Sequence, residues 1–126
     1  MKNNNKLNIA IVGLGNIGSY LYKYLKINKE ILSKKNNCVP NIIFVSAKNK
    51  NKKRNIKINK KKWLKNYLDA TKLKDVDIIV ELIGGAEGAA KKLVFNALKT
   101  NFFAAPSAPP INSTIISTFF NFVASR

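Results

Sequence analysis

Gly13, Gly15 and Gly18 stand in the spacing Gly-x-Gly-x-x-Gly, directly behind an apolar run at residues 7–12 and directly before a helical pattern. Such a turn suits the cradling of phosphates. Gly13 lets the chain leave a strand sharply, Gly15 has no Cβ to hold a pyrophosphate away, and Gly18 lets a helix lie close on the strand. The N–H groups and positive dipole end of that helix then face the anion. The alternative is a tight strand-to-helix turn with no ligand, but the flanking strand and helix favour the phosphate reading.

Other chemistries have little to work with. There is no histidine and a single cysteine, Cys38, which removes the usual triads, an internal disulfide and the common zinc sites. The chain is strongly basic, with 23 Lys and Arg against 6 Asp and Glu and a net charge of +17. Much of that charge falls in one interval, from Lys48 through Lys50, Lys52, Lys53, Arg54, Lys57, Lys60, Lys61 and Lys62 to Lys65. Attraction to polyanions follows, with a steep dependence on salt. Aromatic residues are not interleaved there, since Trp63 and Tyr67 lie at its end, so no specific nucleic-acid partner is expected. Codons rich in A and T account for lysine, asparagine and isoleucine at positions that need only be polar or apolar.

The elements that must position the glycines are legible in outline. Residues 7–12 read as a first strand, and a helix from Asn16 sets Ile17, Leu21, Tyr24, Leu25 and Asn28 on one side. That helix is expected to end among residues 33–37. Behind Pro40, residues 41–46 form a continuous apolar strand of the kind buried in parallel sheets. Residues 48–62 are a basic connection, and Trp63, Leu64, Tyr67 and Leu68 restore a short helical spacing. Residues 75–83 are a third strand closed by Gly84 and Gly85. Residues 87–100 are a second strong helix, with Ala89, Leu93 and Ala97, and beside them Ala90, Val94 and Leu98, facing inward. Strands alternating with helices call for an α/β fold with a doubly wound parallel sheet.

Residues 1–101 are therefore assigned to one nucleotide-binding domain and residues 102–126 to a divergent tail. Residues 102–125 hold no charged side chain, and Pro106, Pro109 and Pro110 interrupt them. Residues 102–105 suit a strand that would cover the sheet edge near residues 78–82, and residues 111–123 suit a short amphipathic or membrane-seeking segment. The break in composition predicts another reading frame or an aberrant gene end for this tail. No apolar run approaches the roughly 20 residues that span a bilayer. The first six residues carry no apolar segment of signal-peptide type. No membrane partner and a cytoplasmic location are expected.

The segment Asp75-Val76-Asp77-Ile78-Ile79-Val80-Glu81-Leu82-Ile83-Gly84-Gly85 resembles the corresponding stretch of homoserine dehydrogenases, and the Val-Gly-Leu-Gly-Asn-Ile-Gly turn is similar to that of many dehydrogenases. The resemblance covers residues 6–101. It implies a Rossmann-like fold and an NAD(P)-dependent oxidoreductase that reduces aspartate 4-semialdehyde to homoserine, on the route to threonine, methionine and isoleucine. It also implies that Gly13, Leu14, Gly15, Asn16 and Ile17 hold a pyrophosphate through backbone N–H groups, with Gly18 closing the turn. Ile83, Gly84 and Gly85 would line the nicotinamide side. Glu81 is read either as facing the ligand or as a solvated or ion-paired carboxylate, and not as catalytic.

A carboxylate at the end of the second strand is the usual partner of the NAD ribose. Here that place reads Val45-Ser46-Ala47-Lys48. Ser46 and Lys48, with Lys50 nearby, instead suit the 2′-phosphate of NADP, and NAD is the alternative cofactor. The family's Thr-Ala-Asn-Lys segment has no counterpart after the second helix. Its substrate and dimerisation domain has none either, so no catalytic residue is assigned. Besides the nucleotide-binding part of such an enzyme, two readings stay open: a stand-alone dinucleotide-binding module without catalysis, and a basic nucleic-acid-binding protein.

Overall fold

The computed structural model describes residues 5–84 and 87–100, and the backbone of residues 114–117. Strand β1 (Asn5–Val12) leads through the turn at Gly13 into helix α1 (Asn16–Ile27), and helix α2 (Lys29–Asn36) follows after Asn28. Strand β2 (Cys38–Ser46) comes next, then two 3₁₀ turns, Lys60–Lys62 and Tyr67–Thr71. Strand β3 (Ile78–Glu81), helix α3 (Ala89–Lys99) and strand β4 (Thr114–Ser117) complete the order.

The sheet runs β2-β1-β3-β4, and each neighbouring pair is parallel. β1 is central: the chain first winds to β2 on one side and then crosses to β3 on the other. That reversal makes β1 the switch point of a doubly wound α/β sheet, which is where ligands bind in such folds. In register, Val12 is level with Ser46 on one side and with Glu81 on the other. All three strands therefore deliver their next residues to one edge. One irregularity lies between Ile9 and Ala10, whose partners Ile42 and Phe44 skip Ile43. Pro40 sits inside β2, opposite Leu7, where an edge strand tolerates the missing N–H.

The alternation of β1 divides the core. Ala10 and Val12 face one layer, with Ile79, Val76, Ala70, Leu93 and Ala97. Ile9 and Ile11 face the other, with Leu14, Tyr22, Ile42 and Val45. Burial of Ile11, Ile79 and Leu93, each 0% exposed, contributes roughly 2 kcal/mol apiece. On the α3 side the packing is fastened by side chains. Asn96 donates to the Thr71 hydroxyl at 2.6 Å, and the Thr100 hydroxyl donates to the Thr71 carbonyl at 3.1 Å.

Several elements differ from the sequence reading. The first helix breaks at Asn28, and α2 ends where Asn37 takes a left-handed φ of 51°. The inward face of α1 holds Gly18 and Tyr22, with Leu21 and Leu25 half-buried, whereas Ile17 and Tyr24 point to solvent. The fit of Gly18 against the turn fixes that rotation. It leaves α1 with a second, outward apolar row of Ile17, Tyr20, Tyr24 and Ile27, in which the Tyr20 and Tyr24 rings stack at 6.1 Å. On α3, Leu98 is likewise exposed while Ala90, Leu93 and Ala97 are buried. No helix spans Trp63 to Leu68. Trp63 instead bridges Val45 beside the sheet, and the Leu64 N–H donates to the Val45 carbonyl at 2.9 Å. The backbone that covers β3 on its outer side is β4, within the stretch read as a tail. The strand expected at residues 102–105 lies outside the described residues.

Burial also acts on the phenol of Tyr22, raising its pKa above the ordinary 10.0. Above pH 10 the unfolded chain gives up this proton more readily than the folded one. The associated stability is complete below pH 10 and is lost as pH rises through the folded value. Denaturant midpoints measured at rising alkaline pH should fall less steeply in Tyr22→Phe than in the wild type.

Candidate functional site

The turn after β1 is built by exclusion of side chains. Gly13 has φ 108°, and a Cβ there would lie 2.5 Å from the carbonyl carbon and oxygen of Leu82. The exit of β1 thus lies directly against the exit of β3. A Cβ on Gly18 would run into the Gly13 carbonyl oxygen. Helix α1 is seated on the turn itself, and only hydrogen atoms fit between them.

Gly15 is different. It caps α1 with an ordinary φ of −74°, and a Cβ placed on it meets nothing within 4 Å. The fold itself places no demand for glycine at this position. A molecule approaching the backbone would. Asn16, Ile17 and Gly18 form the first turn of α1, where N–H groups have no acceptor inside the helix. Asn16 and Ile17 are exposed, and Gly18 is buried. The open space over Gly15 therefore adjoins a helix N-terminus whose donors suit phosphate oxygens.

One of the expected donors does other work. The Gly13 N–H donates to the Ser46 carbonyl at 2.8 Å and is spent in tying β1 to β2. Leu14 has its side chain in the core, and its carbonyl accepts from Ser19 Oγ at 3.3 Å and from Arg54 Nε at 2.8 Å. Only the Leu14 carbonyl is engaged, so the backbone N–H groups that remain for an anion are those from Leu14 onward.

At the end of β2, Ser46 is buried and Lys48 is exposed. They bound the same edge as Gly15, through the pairing of Ser46 with Val12. At the end of β3, Glu81 is 0% exposed, and its Oε1 accepts from the Ile83 N–H at 2.6 Å. The carboxylate is thus not solvated, and one of its oxygens folds back to cap the turn that follows its own strand. Ile83 is half-buried. Gly84 is exposed and has φ 84°, so its own backbone requires glycine. Gly85 lies outside the described residues.

The residue that the sequence reading passed over is Arg54. It is one of two arginines in a lysine-rich chain, and that exception was the signal available. Besides Leu14, its guanidinium donates to the carbonyls of Asn49 at 2.8 Å, Lys52 at 3.0 Å and Lys50 at 3.3 Å. Its other side lies over the Trp63 ring, with Cζ 5.8 Å from the centroid and Lys50 Nζ at 5.6 Å. The basic connection is therefore a folded loop fastened to the glycine turn.

Among the described residues, no group of His, Cys, Asp and Glu could hold a metal ion, and no helix is long and apolar enough to cross a membrane. A parallel sheet that reverses its winding above a Gly-x-Gly-x-x-Gly turn defines a nucleotide-binding domain of the Rossmann type.

No protein-family model matches the chain. A homoserine dehydrogenase of Bacillus subtilis (strain 168) is 30% identical over 88 residues, which are 70% of this chain and 20% of that protein. The crystal structure of Staphylococcus aureus homoserine dehydrogenase at pH 7.5 superposes with a TM-score of 0.71 at 27% identity, covering 90% of this chain and 26% of that one. The homoserine dehydrogenase of Thiobacillus denitrificans shares the fold, with a TM-score of 0.70 at 21% identity over 90% of this chain and 23% of its own. The chain is homologous to the N-terminal region of homoserine dehydrogenases. It spans about a quarter of the length of those solved structures.

Proposed function

We propose that this chain is the NADP-binding domain of a homoserine dehydrogenase. The observation that carries the reading is the contrast among the glycines. Gly13 and Gly18 are demanded by the fold, whereas Gly15 faces open space beside the first turn of α1. Glycine at a position where the fold does not require it suits the approach of a pyrophosphate to Leu14, Gly15, Asn16, Ile17 and Gly18. Ser46 and Lys48 then stand for the 2′-phosphate of NADP, and Ile83, Gly84 and Gly85 for the nicotinamide side. The bound nicotinamide supplies the hydride chemistry. This chain's share is to bind and orient that cofactor. Reduction of aspartate 4-semialdehyde is the proposed reaction of an enzyme built on this domain, and a cytoplasmic setting goes with it. The residues that act on the substrate are not assigned to this chain, which alone is expected to bind cofactor without turnover. In this proposal residues 1–101 carry the cofactor-binding elements, and residues 102–126 differ in composition although β4 within them pairs with β3 in the same sheet.

The test is a titration of the purified chain at physiological salt with NADPH and NADH, following thermal unfolding. ADP and inorganic phosphate serve as controls for attraction to a +17 chain. NADPH should stabilise saturably and more than NADH, by about 2.7 kcal/mol at a hundred times its Kd. Stabilisation by phosphate equal to that by NADPH would reduce the site to charge alone. No response to either dinucleotide would end the proposal.

A further inference from the structure

We propose that Arg54 is a positioning residue that sets the preference for a 2′-phosphorylated dinucleotide by shaping the loop between β2 and the first 3₁₀ turn. The inference rests on reading the glycine turn as a dinucleotide site. Residues 48–62 look, in sequence, like a solvated basic linker. In the structure the chain from Asn49 to Arg54 closes as a ring around one guanidinium, which reaches three carbonyls of its own loop. The fourth carbonyl, Leu14, lies 40 residues away, between Gly13 and Gly15. Two local bonds tighten the ring: the Asn51 N–H donates to Asn49 Oδ1 at 3.1 Å, and the Lys52 N–H to the Asn49 carbonyl at 3.4 Å. Trp63, bridged to Val45, supports the other side of Arg54 and of Lys50.

The charges follow from that scaffold. No acidic residue stands between Glu30 and Asp69 in the sequence. The two ion pairs among the described residues, Lys72–Asp69 and Lys91–Glu87, lie elsewhere. Lys48, Lys50, Lys52 and Lys53 are thus exposed cations on a loop of fixed shape, at the edge where β2 ends. Arg54 itself is a poor phosphate ligand, because four of its five donors are committed to carbonyl oxygens. Its effect is exerted through the lysines: with the loop held, an anion beside Ser46 and Lys48 meets charges already in place, and little ordering is left to do on binding.

The discriminating variant is Arg54→Lys, which keeps the charge and loses the planar fork. With the full chain, the affinity for NADPH should fall about tenfold, the size expected when one or two side chains must be ordered on binding. The affinity for NADH, which lacks the 2′-phosphate, should stay within about twofold, so the ratio of the two affinities collapses. A purely structural role would lower both together, and a purely electrostatic one would leave both unchanged; either result overturns the inference. A wild-type chain that binds both dinucleotides equally would remove the NADP reading of the site and the inference with it. Should Arg54→Lys not fold, amide hydrogen exchange in the wild type decides. Slow exchange at Asn51 and Lys52 supports the ring, and exchange at the rate of an unstructured linker overturns it.

Discussion

Alanine at Gly18 is expected to cost about 3 kcal/mol or more, the upper range for overpacking against atoms that cannot rotate away. The added Cβ would strike the Gly13 carbonyl oxygen, with the Leu14 side chain 3.6 Å away. That carbonyl belongs to a residue held on both sides, since the Gly13 N–H is bonded to Ser46 and its Cα faces the Leu82 carbonyl. Helix α1 must therefore lift off the turn, taking Tyr22 out of the core as it moves. Total stability of a small domain is about 5–15 kcal/mol, so the loss should be plain in a denaturant midpoint. A change below about 1 kcal/mol would mean that α1 can slide along β1 without penalty, which the close seating forbids.

Aspartate at Gly15, three residues earlier in the same motif, is expected to do the reverse. The backbone there is in the extended region of an N-cap and the space is open. Aspartate is a favoured cap, and a negative charge suits the start of a helix, so stability should hold or rise by up to about 1 kcal/mol. Binding of NADPH should nevertheless fall by about a hundredfold or more, because a carboxylate would stand where the pyrophosphate must come. The pair of measurements is one denaturant curve and one NADPH titration of the same protein. Unimpaired binding in Gly15→Asp would show that the anion does not use this turn, and the proposed function would fail with it.

Much of this fold is readable from local pattern, because β1, β2, β3 and α3 each announce themselves by an apolar run or a helical period. The spacing of the glycines likewise identifies the turn before any coordinates are known. What pattern does not reveal is the rotation of α1. Its sequence offers two apolar rows, and periodicity alone has no means of preferring Gly18 and Tyr22 to Ile17 and Tyr24. The close approach of Gly18 to Gly13 decides it. Glu81 is hidden for a related reason: a carboxylate at a strand end reads as ligand-facing, solvated or ion-paired, and its bond to the Ile83 N–H two residues on is a backbone partner that side-chain pattern does not show. Arg54 is the largest omission. Its partners are backbone carbonyls, one of them 40 residues away, and carbonyls leave no trace in side-chain patterns.

The outward row of Ile17, Tyr20, Tyr24 and Ile27 has a practical consequence at the bench. These four side chains are 42–69% exposed on a chain of net charge +17. In dilute buffer the lysines dominate, and the protein should cling to a cation exchanger and to any contaminating polyanion. Concentrated sulfate frees it from both, but the same salt strengthens the adhesion of apolar surface, so a phenyl matrix should then retain it. Purification can exploit the two in sequence, while cofactor titrations belong in the window of moderate chloride between them, where neither adhesion masks the ligand.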